Sequence, residues 1–249
     1  MNIADFNSAQ WLIAIIAAFS VGLAKSGFGG FGMLAVLLLA SIMPARASTG
    51  FLLPLLIFAD CFAVAAFRKH AQWSHIHRLI PPAFAGVIAG AVVMPYISDA
   101  VFKPLIGWVV LFMVGLQWAR SRNENWMADV PNTRGFGWVM GGACGVTTML
   151  ANAAGPVSTL YLLAMKLPKW EFVGTGAWFF LIVNLFKVPF SLQLGLINGL
   201  SITTNILLIP AILVGVALGR FLISRISQKV FENLLLVFTA LAAVRLILP

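Results

Sequence analysis

The chain has 249 residues, of which 61% are hydrophobic and 9% charged, with a mean hydropathy of +1.00. A soluble domain carries about 25% charged residues, which cover its exterior, so this composition excludes a soluble enzyme, a disordered tail and a secreted disulfide scaffold. An integral membrane protein remains. The formal charge of +9 comes from 16 Lys and Arg against 7 Asp and Glu. In a soluble chain it would suggest nucleic acid, but here the cations punctuate apolar runs, as they do in loops retained on the cytoplasmic face. No nucleic-acid partner is expected.

Apolar segments fall at 10–24, 31–43, 48–67, 79–97 and 101–119, then at 135–150, 152–165, 172–191, 203–222 and 230–248. These are five segments followed by five. In each set the last three run to about 20 residues, enough to cross a hydrocarbon core of roughly 30 Å at about 1.5 Å per residue. The first two are shorter. Lys25 to Gly30 separates them in the first set, and the small, polar stretch Gly145 to Pro156 in the second. Met1 to Gln10 has no basic n-region and no small-residue cleavage site, so the first apolar run is expected to stay in the mature protein. Cys61 and Cys144 both lie within apolar runs, where packing is the default role.

The two sets repeat one another. At an offset of 124, Pro44 and Gly50 fall on Pro168 and Gly174, and Asp60 falls on Asn184. At an offset of 129, 11 of the 27 positions from Leu79 to Leu105 are identical; Pro81, Gly86 and Gly90 recur as Pro210, Gly215 and Gly219. Shared apolar composition does not place a proline and a Gly-x-x-x-Gly in one register. A duplicated membrane unit points to a transporter, with residues 1–122 and 123–249 as two repeats of one membrane domain. The Gly86/Gly90 and Gly215/Gly219 pairs are expected to pack helices closely.

Loop charge distinguishes parallel from inverted halves. If the two short segments of each half form one broken span, the 14 loop cations split 7 and 7. If they form a hairpin that returns to its own side, the split is 11 against 3. One side then holds Arg68, Lys69, Arg78, Arg120, Arg122, Arg134, Lys166, Lys169, Arg220, Arg225 and Lys229; the other holds Arg46, Lys103 and Arg245. The positive-inside bias selects the second arrangement. The fold expected is therefore an all-α polytopic membrane protein of two inverted-topology repeats. Each is a short helical hairpin, re-entrant or fully spanning, followed by three transmembrane helices. Both termini face away from the cytoplasm. Freed backbone at a hairpin tip must be buried in protein or line a wet cavity.

The run Ser26-Gly27-Phe28-Gly29-Gly30-Phe31-Gly32, the helix-opening Pro44 and the matching Gly-Gly…Thr-Thr…Asn-x-x-Gly-Pro stretch from Gly141 to Pro156 resemble the TauE/SafE family of sulfite exporters. The resemblance spans about 10–248. It implies export of sulfite, sulfonates such as sulfoacetate, or related sulfur anions across a plasma membrane, here a bacterial inner membrane.

Lys25 and Lys187 are the two cations left at membrane depth. A lysine there costs roughly 2.5–3.5 kcal/mol on insertion scales, so it faces a cavity, a partner or the interface. Lys25 with Ser26, Gly27, Gly29 and Gly30 would make an anion cradle of ammonium and free backbone N–H groups; snorkelling to the surface is the alternative. Thr147, Thr148, Asn152 and Gly155 form the opposing tip, where amide and hydroxyl donors suit a sulfonate or serve interhelical bonding. Asp60 and Asn184 form a symmetric pair. The carboxylate is either paired with Lys25 or Lys187, or protonated and part of a proton relay. Lys187 lies near the end of its span and is open to snorkelling. His70, His75 and His77, with Trp73, read as an interfacial cluster with no completed metal set.

The function expected is a secondary transporter acting as an exporter, alternating about a midplane site, with proton coupling through Asp60 where that carboxyl is a relay rather than a structural partner of a lysine. An anion channel and a membrane-embedded enzyme are the alternatives, and the sequence has no His-Glu-x-x-His, Gly-x-Ser-x-Gly or Cys-x-x-Cys to support the enzyme. No cofactor and no metal are expected. The partners are a small anion and the lipid bilayer, with a homodimer left open.

Overall fold

A computed structural model describes residues 6–26, 31–122, 133–222 and 228–248. Every apolar segment becomes a helix. They are α1 (Ser8–Lys25), α2 (Phe31–Ile42), α3 (Ala45–Phe67), α4 (Trp73–Val93), α5 (Asp99–Arg122), α6 (Arg134–Ala151), α7 (Gly155–Ala164), α8 (Lys169–Gln193), α9 (Gly199–Leu222) and α10 (Gln228–Ile247). Among the described residues, six helices are long and apolar enough to cross a membrane, in the stretches Ser8–Lys25, Ala45–His70, Trp73–Tyr96, Asp99–Ala119, Trp170–Gln193 and Ser201–Gly219. The chain is a multi-pass membrane protein. Its short helices α2 and α7 have 12 and 10 residues, about 18 and 15 Å, roughly half of the hydrocarbon thickness.

Local signals set the helix ends. Asn7 and Gln10 close a reciprocal capping box on α1, and the Thr133 hydroxyl caps α6, each satisfying an otherwise orphaned N–H. Pro44 and Pro168 precede α3 and α8 in nearly the same extended conformation; a fixed φ and a missing N–H suit a helix start. α4 starts six residues before the apolar run at 79, because a first turn needs backbone bonding rather than apolar side chains.

The halves exchange helices. α1 packs along α9, and α6 along α4, while α3 crosses α8 and α5 meets α10. The two long contacts are built alike from glycine. A Cβ on Gly22 of α1 would strike the Ile212 carbonyl and lie 2.9 Å from the Val216 nitrogen. A Cβ on Gly86 of α4 would strike the Gly142 carbonyl and lie 2.9 Å from the Val146 nitrogen. Gly215 and Gly145 are the reciprocal partners, so the expected close packing by Gly86 and Gly215 is realised. Each backbone sits against a neighbour with no room for a side chain, the way apolar helices associate without hydrophobic drive.

α3 and α8 run in opposite directions. The start of α3 meets the end of α8 where Gly50 abuts Leu196, the middles meet where Asn184 reaches Asp60, and the end of α3 meets the start of α8 where Phe67 stacks on Trp170. α5 similarly brings Gly107, near its start, to Ala243 and Ile247 at the end of α10.

These contacts make a sharp prediction. Gly145→Val should overpack the α4–α6 contact and destabilise the protein by about 1–3 kcal/mol, read as a lower melting temperature in detergent. Gly115→Ala, with open space around its Cβ position, should leave the melting temperature within about a degree of wild type, since it adds no clash.

Candidate functional site

The two broken helix pairs, α1–α2 and α6–α7, converge on the crossing of α3 and α8, where they border a cavity of about 280 Å³. That is near the lower end of small-molecule sites, which run from about 300 to 1,000 Å³. Lys25 ends α1, and Asp60 and Asn184 are each the sixteenth residue of their helix. Lys25 Nζ pairs with Asp60 Oδ1 at 2.5 Å. Asn184 Nδ2 donates to Asp60 Oδ2 at 2.8 Å, and the Lys25 ammonium sits 4.7 Å from the centre of the Phe180 ring. Asp60 is fully buried, while the Lys25 side chain keeps 17% exposure onto the cavity. Of the two partners considered for Asp60, the structure chooses Lys25.

Lys187 does not snorkel. It is 2% exposed, and its Nζ donates to the Thr148 carbonyl at 2.8 Å, the Thr148 hydroxyl at 3.2 Å and Asn152 Oδ1 at 2.5 Å. Three N–H donors thus meet three oxygens, at the C-terminal end of α6 where a cation is favoured by the helix dipole. Asn152 caps α6 with φ +49°, a left-handed conformation asparagine tolerates better than most residues. Its Nδ2 donates across to the Thr49 carbonyl of α3 at 2.9 Å. Lys187 and Asn152 therefore hold the second tip against both crossing helices.

The remaining sequence candidates divide. Thr148, Asn152 and Gly155 join Lys25, Asp60 and Asn184 on the cavity wall. The Thr147 hydroxyl donates back into its own helix at Ala143, 2.7 Å away, and is absent from the wall. The Ser26 hydroxyl donates to the Gly22 and Val216 carbonyls at 3.1 and 3.0 Å, seaming α1 to α9. Gly27, Gly29 and Gly30 lie outside the described residues. His75 Nδ1 lies 3.1 Å from the Tyr161 hydroxyl, His70 packs on Trp170 and His77 on Trp73. No group of three His, Cys, Asp or Glu side chains is placed to hold a metal among the described residues.

Sequence reading missed part of the wall: Gln117 of α5, Ser158 and Thr159 of α7, and Phe172 and Phe180 of α8. Gln117 had a signal, an amide inside an apolar run; the phenylalanines had none among 20 of their kind. On α8 the wall follows a stripe from Asn184 through Phe180, Ala177 and Val173 to Phe172, about 18 Å of helix at 1.5 Å per residue. It leads from the ion pair toward the helix ends that carry Arg68, Lys69, Arg122 and Lys166.

A bundle of apolar helices around a buried ion pair and a polar-lined cavity has the architecture of a membrane transport protein. The chain belongs to the sulfite exporter TauE/SafE family, whose model matches residues 14–246. Membership implies a membrane exporter of sulfite or related sulfur anions. Neither the curated proteins nor the solved structures provide a match.

Lys187→Met should leave the Thr148 carbonyl and Asn152 Oδ1 without donors. An orphaned buried acceptor costs about 1–3 kcal/mol, so the melting temperature should fall clearly below wild type in detergent. An unchanged melting temperature would show that the clamp contributes nothing to the fold.

Proposed function

We propose that the protein is a secondary transporter of small sulfur oxyanions or sulfonates, sulfite and sulfoacetate among them, in the bacterial inner membrane. It works by alternating access between two inverted halves, 1–122 and 123–249, about the cavity between the hairpin tips. The observation that carries this reading is the Lys25–Asp60–Asn184 cluster on the cavity wall between both broken helix pairs. The opposed courses of α3 and α8 support inversion, since repeats related by an axis along the membrane normal would have equivalent helices running the same way. By the loop-charge bias, the end carrying Arg68, Lys69, Arg122 and Lys166 is cytoplasmic, and both termini lie on the opposite side. The cavity would then load from the cytoplasm through a cationic rim that concentrates anions. The Lys187–Asn152–Thr49 contacts lie beyond the ion pair and close the other way out.

The chemistry follows from competition for Lys25. In the empty site Asp60 neutralises that ammonium. An incoming anion takes Asp60's place on Lys25, and a proton on Asp60 removes the charge that would repel it. Anion and proton then occupy the site together, which makes Asp60 the coupling group. Asn184 and Asn152 brace the carboxylate and the tip while the occupant changes.

Sulfite and sulfoacetate flux into proteoliposomes, with and without an imposed pH gradient, tests the reading. Wild type should show saturable flux that accelerates when the proton gradient points along the anion gradient. Lys25→Ala should lower flux at least tenfold, a loss of roughly 1.4 kcal/mol or more. Asp60→Asn should keep saturable flux but lose its response to the gradient. Flux that never saturates and ignores the gradient would replace the carrier with a channel.

A further inference from the structure

The hydrogen bonds made along the cavity wall show which of its side chains are wholly uncommitted. Asn152 spends Oδ1 on Lys187 and Nδ2 on Thr49. Thr148 holds Lys187 through both its carbonyl and its hydroxyl. Asn184 Nδ2 is engaged by Asp60, and the Ser158 hydroxyl donates to the Gly155 carbonyl at 2.9 Å. Two polar side chains on this wall make no hydrogen bond to another described residue: Gln117 of α5 and Thr159 of α7. They come from opposite halves of the chain, on helices that touch.

A carboxamide and a hydroxyl on an apolar wall are costly to leave unpaired once water is expelled. On the same wall Asn152, Thr148, Asn184 and Ser158 all find partners within the bundle. We propose that Gln117 and Thr159 form a neutral donor subsite that recognises oxygen atoms of the transported sulfur oxyanion or sulfonate, while Lys25 supplies the charge. This rests on the transport reading. Two neutral donors add directional contacts without the fixed charge that would trap the anion, and occupying both would draw α5 of the first half to α7 of the second. Binding is thereby linked to the relative position of the halves.

The test uses Gln117→Leu and Thr159→Val, which keep volume and remove the donors, with Thr159→Ser as the conservative control. Sulfite and sulfoacetate flux in proteoliposomes gives KM and maximal rate, and melting in detergent gives stability. Each apolar variant should raise KM for at least one of the two anions about tenfold, the value of one hydrogen bond to a charged group. The maximal rate should stay within about twofold and the melting temperature without added anion should be unchanged, because no intramolecular bond is lost. Thr159→Ser should restore the wild-type KM. Wild-type KM for both anions in both apolar variants overturns the subsite while leaving the transporter intact. A rise in KM accompanied by a fall in melting temperature overturns it as well, since the side chains would then be structural. Absence of saturable flux, and of any thermal shift with either anion, in the wild-type protein overturns the transport reading itself and the subsite with it.

Discussion

The structure is organised around one ion pair that an apolar bundle has every energetic reason to avoid. A charge inside such a bundle is tolerated only when its partners are in place, and Asp60 is buried completely between Lys25 and Asn184. Meeting that demand requires the end of α1, the middle of α3 and the middle of α8 to converge on one point. The convergence in turn fixes where α3 and α8 cross. The glycine contacts allow it: with no Cβ at Gly22, Gly86, Gly145 and Gly215, α1 and α6 lie flush on helices of the opposite half. Close backbone packing outside and a satisfied charge inside are two sides of one arrangement.

The site departs from its own symmetry in a way that explains the cavity. Asp60 and Asn184 occupy equivalent places, but their neighbours differ. The helix turn after Asn184 carries Lys187, whose long side chain fills the space up to Thr148 and Asn152. The equivalent position on α3 is Ala63, which lines the cavity. On one side of the crossing a lysine stem and ammonium close the space; on the other a methyl group leaves it open. At matching positions a lysine on α8 fills its side of the crossing, and an alanine on α3 leaves its side to the cavity.

Much of the fold was legible in the chain. Ten apolar runs became ten helices, because in lipid every backbone group must be bonded within its own segment and hydropathy alone then marks the elements. Pro44 and Pro168 marked two helix starts, and the repeated Gly-x-x-x-Gly marked the tightest contacts. The site was legible in part. Lys25, Asp60, Asn184 and Lys187 stood out because charged and amide groups are rare and expensive in such runs. Thr147 and Thr148 could not be told apart, although one faces its own helix and the other the clamp, since adjacent residues on a helix point about 100° apart. The phenylalanines of the wall carried no signal, and Gln117 and Thr159 gained meaning only when their neighbours' hydrogen bonds were counted.

The sequence by itself determined the class of protein, its helices and the short roster of polar groups that a membrane interior must answer for. Those follow from local chemistry: composition, period and the cost of an unpaired charge. Tertiary structure alone decided the pairings. Asp60 goes to Lys25 rather than to Lys187, Lys187 turns inward to cap α6 rather than outward to the surface, and Asn152 ties the second tip to α3. Each depends on distances between residues more than 30 positions apart in the chain, and such distances exist only once the glycine-lined helices have closed on one another.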